Sequence, residues 1–107
     1  AIRYQPMLIR VRKDQTLALE EEDDFEGFCI RVKDSDMSLV ALDRITKRIE
    51  NGNYWLDAQG VIALSNKSKE KEWLDRFWAM LKGSELYGFA NFEAQLIRAH
   101  IEYDIPD

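Results

Sequence analysis

The chain has 107 residues with 20 acidic and 15 basic side chains. It is expected to fold as one domain over residues 1–107, and its net charge of −5 disfavours electrostatic capture of nucleic acid. Cys29 is the only cysteine, and no apolar run reaches the roughly 18 residues of a membrane span; this excludes an intramolecular disulfide and points to a cytoplasmic protein that does not enter a membrane.

Met7, Ile9 and Val11 alternate with Leu8, Arg10 and Arg12 after Pro6, the period-two pattern of a strand with one face in a core. Lys13-Asp14-Gln15 suits a hairpin connection into a second, weaker alternation over residues 16–20. Adjacent carboxylates in Glu20-Glu21-Glu22-Asp23-Asp24 repel one another, so this run and Glu26 are expected in a solvated loop. Gly27 permits a turn, and Phe28, Ile30 and Val32 alternate with Cys29, Arg31 and Lys33 in a third strand.

Asp34-Ser35-Asp36 offers N-cap residues, and Leu39, Leu42, Ile45 and Ile49 follow at helical spacing until Asn51-Gly52, so a helix is expected there. Residues 53–65 read as a hairpin: Tyr54, Trp55 and Leu56 enter an Asp57-Ala58-Gln59-Gly60 turn, and residues 61–64 return as a strand. Residues 66–82 form the central helix, capped by Ser65-Asn66-Lys67-Ser68 and ended by Gly83. Trp73, Leu74, Phe77, Trp78, Met80 and Leu81 share one side of it, with Glu72, Asp75 and Arg76 on the other. Phe89, Phe92, Leu96, Ile97, Ala99, Ile101 and Tyr103 suggest a last helix with Asn91 as its cap and Pro106 beyond it. The expected fold is α+β, a small antiparallel sheet of four to five strands with about three helices on one face, in the order βββαββαα.

Charge is unevenly distributed: residues 1–13 carry +4 and residues 14–28 carry −7. If the first and third strands share a sheet, Arg10, Arg12, Arg31 and Lys33 make its open face cationic. The acidic run then either folds across that face or projects toward a basic partner.

Motifs for chemistry are sparse. His100 and Asp104 stand four apart on the expected last helix, where a carboxylate can orient an imidazole, and cationic neighbours of Cys29 can activate a thiol. The acidic run lacks the alternating spacing and glycine of a calcium loop, so neither a metal nor a cofactor is expected. The preferred reading is a non-enzymatic protein-interaction module of inhibitor, immunity or regulatory type. It would use Glu20, Glu21, Glu22, Asp23, Asp24 and Glu26 against the basic surface of a protein partner. The alternative is a small enzyme or ligand-binding domain with a pocket between sheet and helices near His100, using Tyr54 or Tyr103. Apolar residues on more than one side of the last helix, Ile97 and Ile101 among them, also suggest a homodimer seam.

Overall fold

The computed structural model describes residues 6–104, so Pro106 lies outside the described residues. The first three strands form where period-two alternation places them: β1 (Met7–Val11), β2 (Leu17–Glu20) and β3 (Phe28–Val32). β1 and β2 are an antiparallel hairpin with Ile9 opposite Leu19, and Gln15 adopts a left-handed φ of 63° in the connection. β3 runs parallel to β1 on its other edge, Ile9 opposite Ile30. Because β2 ends and β3 begins beside the start of β1, the acidic residues between them must step across that end, where Met7 N donates to Asp24 O at 3.2 Å. Met7, Ile9, Val11, Ile30 and Val32 enter the main core; Leu8 and Cys29, paired in register on the opposite face, are buried as well.

The helix expected from Asp34 does not form. Residues Val40–Arg44 make a single 3-10 turn held by Gln15, whose side-chain oxygen accepts from Ala41 N at 3.2 Å and whose Nε2 donates to Ser38 O at 3.1 Å. The chain then extends as β4 (Thr46–Glu50) and returns as β5 (Asn53–Asp57). Asn51 and Gly52, read as a helix stop, have φ of 53° and 79° and form the two-residue hairpin that this dipeptide favours most strongly. Ile49, a supposed core position, is 59% exposed.

The expected return strand is instead a short helix, α1 (Ala58–Leu64), whose buried Ala58, Val61 and Ile62 fall at i, i+3 and i+4. The long helix α2 (Lys71–Glu85) follows, beginning after the expected caps and running through Gly83 rather than stopping there. Trp73, Phe77 and Leu81 line its buried stripe, and Trp73 stacks on Phe77 with centroids 5.3 Å apart. Trp78 is half-buried, edge-on to both Phe77 and Phe92.

No helix forms after α2 among the described residues. The last segment is extended: β6 (Ala90–Asn91), β7 (Leu96–Ala99) and β8 (Ile101–Tyr103). Leu96 and Ile97 are both buried because each side of β7 faces other structure, and this produces the spacing that imitates a helix. The dimer seam proposed on that helix loses its basis.

The fold is therefore α+β with two four-stranded sheets rather than one, and two α-helices among the described residues rather than three. One sheet has the order β2-β1-β3-β8 and contains parallel pairs; the other, β4-β5-β7-β6, is antiparallel throughout. A single core cluster draws on both sheets and both helices.

Candidate functional site

The acidic loop is docked rather than free. Trp73 Nε1 on α2 donates to Glu22 O at 2.7 Å, Glu22 Oε2 accepts from Asn66 N at 3.2 Å, and Lys67 Nζ holds both carboxylate oxygens of Asp23 at 2.9 and 3.0 Å. Asp23 in turn raises the pKa of Lys67 above its ordinary value, chiefly through that hydrogen bond. Phe25 packs on Trp73 with centroids 6.0 Å apart, and the Arg76 guanidinium lies 4.6 Å over the Phe25 ring. Asp24 Oδ1 accepts from Glu26 N at 3.0 Å, closing the turn before β3.

These contacts divide the six expected binding residues. Glu20 stands apart from the other five: it ends β2 and its carboxylate lies 3.6 Å from Arg10 Nε. Glu22 and Asp24 are half-buried and tied into the loop, whereas Glu21, Asp23 and Glu26 are exposed. Together with Arg76 the loop rims an open, shallow depression.

The expected cationic sheet face is largely neutralised. Arg10 and Arg31 are register neighbours, and Arg10 Nη1 donates to both oxygens of Asp104 at 2.9 Å. Arg31 Nε is 3.9 Å from Asp104 Oδ1, too far for a hydrogen bond, and is buried without one. Arg12 and Lys33 remain exposed. Asp104 thus serves Arg10 and does not orient His100, whose Nε2 lies 3.6 Å from Glu102 Oε2 instead.

His100 is the residue at which the chain leaves the second sheet and enters the first, its carbonyl accepting from Ile30 N at 2.9 Å. The strands part there and α2 passes alongside, leaving a cavity of about 330 Å³. Phe28 and Cys29 of β3, Met80 and Ser84 of α2, and Phe89 before β6 line it. Ile97 and Arg98 of β7, His100, and Glu102 of β8 complete much of the wall. Phe25, Glu26 and Gly27 also belong to the wall, so the end of the acidic loop and the cavity form one continuous surface. Tyr54 and Tyr103 take no part in that lining.

Desolvation, reinforced by a hydrogen bond with Glu102, pushes the Cys29 pKa up to about 12, opposite to the lowering expected from cationic neighbours. At neutral pH it is a thiol, and the nucleophile suggested by the sequence is not available. The cavity has aromatic and aliphatic walls, with the carboxylate residues Glu26 and Glu102 in its lining. Of the candidates raised from the sequence, Glu26, Cys29 and His100 lie in this lining; Phe25, Phe28, Met80 and Phe89, not singled out for a site there, come from separated segments and share no spacing signal. Among the described residues no three His, Cys, Asp or Glu side chains are grouped to hold a metal ion, and no helix is long and apolar enough to cross a membrane. No protein-family model, curated protein or solved structure matches the chain.

Proposed function

We propose that the chain is a non-enzymatic protein-interaction module of inhibitor, immunity or regulatory type, acting in the cytoplasm by seating its acidic loop on a basic protein surface. The observation that carries this reading is the fixing of the loop by Trp73, Asn66 and Lys67 while Glu21, Asp23 and Glu26 still face solvent. A preordered, negatively charged loop presents its charge without a large ordering cost and favours rapid, steered encounter with a cationic surface.

The test is affinity capture followed by mass spectrometry, comparing the wild type with a Glu21→Lys, Asp23→Lys, Glu26→Lys triple variant. An Asp43→Lys, Glu72→Lys, Glu93→Lys variant, at exposed positions outside the loop and its contacts, matches the charge change. The expected result is a basic protein retained by wild type and control, lost by the loop variant, and released as salt is raised. Identical captured sets for all three proteins overturn the reading.

A second reading, a small-ligand site or small enzyme centred on His100, is favoured by the cavity volume, which falls at the low end of the roughly 300–1,000 Å³ of ligand clefts. Saturable binding of an uncharged small molecule in that cavity would support it over the first.

A further inference from the structure

We infer that the cavity beside the acidic loop receives one arginine side chain projecting from the basic partner, so that the loop steers and the cavity anchors. This rests on the reading of the loop as the partner-binding surface and deepens it by naming the chemistry of the anchor. Position is the first support. Phe25, Glu26 and Gly27 belong both to the loop and to the cavity wall, so a surface seated on the loop covers the cavity mouth.

Size is the second: about 330 Å³ accommodates a long side chain but not a secondary-structure element. Charge complementarity is the third. Glu26 and Glu102 both line the space, and the Glu26 carboxylate makes no ion pair or hydrogen bond among the described residues. Arg98, the cation on the wall, is laid over Phe89 at 4.6 Å from the ring centroid, and His100 sits by Glu102. An aliphatic stem against Met80 with a planar, weakly hydrated guanidinium set between a carboxylate and the Phe28 ring uses these groups, since the Phe25 and Phe89 rings already carry Arg76 and Arg98. A compact, strongly hydrated ammonium uses fewer of them.

The experiment titrates isotope-labelled full chain with short capped peptides that differ only in a central arginine, lysine or citrulline, following the Met80 methyl and the loop amides by NMR. The arginine peptide is expected to shift Met80 saturably. Citrulline, its uncharged isostere, is expected to bind about tenfold more weakly, since charge-assisted hydrogen bonds are roughly twice as strong as neutral ones. Glu26→Gln and Glu102→Gln should each weaken the arginine response. Ser84→Phe, which fills the cavity from α2, should abolish it, and the two glutamine variants keep the test sound if Ser84→Phe does not fold.

An unmoved Met80 methyl, shifts confined to residues 20–24, or equal responses to the three peptides overturn the assignment, as does a lysine response equal to that of arginine. The two proposals fail separately. Loop-dependent capture with an unmoved Met80 removes only the arginine anchor, whereas an arginine-specific Met80 shift with loop-independent capture removes only the loop reading.

Discussion

Cys29 shows how far the environment of a side chain can depart from the sequence around it. It stands two residues from Arg31 and in register with Leu8, and the sequence therefore offers it cationic company. In the fold it is buried and hydrogen-bonded to Glu102, and these effects outweigh Arg31 and Arg10. The sign of the linkage follows. A thiol whose pKa is 9.0 in its ordinary state and about 12 in the fold contributes stability that is complete below pH 9.0 and is lost as pH rises toward 12. Cys29→Ala should flatten the decline of stability over that window, measured by urea unfolding at successive pH values. Native protein should also resist iodoacetamide at pH 8 until denaturant is added. Asp104 teaches the same lesson: its pairing with Arg10, 94 residues away, has no local signature, whereas an i+4 relation to His100 is easily read and proved irrelevant.

At the scale of elements, legibility followed the number of faces each segment buries. β1 and β3 were readable because Arg10, Arg12, Arg31 and Lys33 interrupt the apolar residues every second position. The amphipathic α2 was readable because Trp73, Phe77 and Leu81 recur every fourth position. β7 buries Leu96, Ile97 and Ala99, so its period is lost. The segment leading into β4 was obscured by chance spacing, although Asn51-Gly52 carried the hairpin signal and the spacing of Ala58, Val61 and Ile62 carried that of α1.

Two glycines make opposite predictions for one substitution. Gly83 lies inside α2 with open space around it, so Gly83→Ala should stabilise by about 0.5–1 kcal/mol through lower unfolded-state entropy and better helix propensity. Gly60 lies in α1, where an added Cβ would come within 2.8 Å of Ile45 Cγ2, a methyl on a stiff, buried, β-branched side chain. Gly60→Ala should therefore destabilise by roughly 1–3 kcal/mol despite the helical gain. Thermal and urea unfolding of the two variants check both signs.

Across the whole molecule, the acidic loop lies at the end of the first sheet where β1 and β3 begin, while Arg12, Lys13 and Lys33 lie beyond the other end. There the mutual proximity of Lys13 and Lys33 lowers the pKa of Lys13. This polarity is visible in the charge count, and the sequence reading also expects a pocket near His100, but the lining of the cavity is not legible there because it is assembled where β3, β7, β8 and α2 meet. β7 and β8 flank a single residue, His100, and tie the two sheets together through adjacent backbone. The sheets should consequently unfold in one transition. Indole fluorescence, dominated by Trp73 and Trp78 on α2 and Trp55 in β5, should coincide with far-ultraviolet circular dichroism along a urea titration, and two separated midpoints would contradict it.

The placement of β8 also sets a schedule for synthesis. β3 leaves the ribosome before β8, so its outer edge acquires a partner only when residues 101–103 follow, and until then its amides and carbonyls on that side are open to any passing strand. The nascent chain therefore carries an unclosed sheet from the synthesis of β3 to that of β8, and the maturation of that sheet waits on β8.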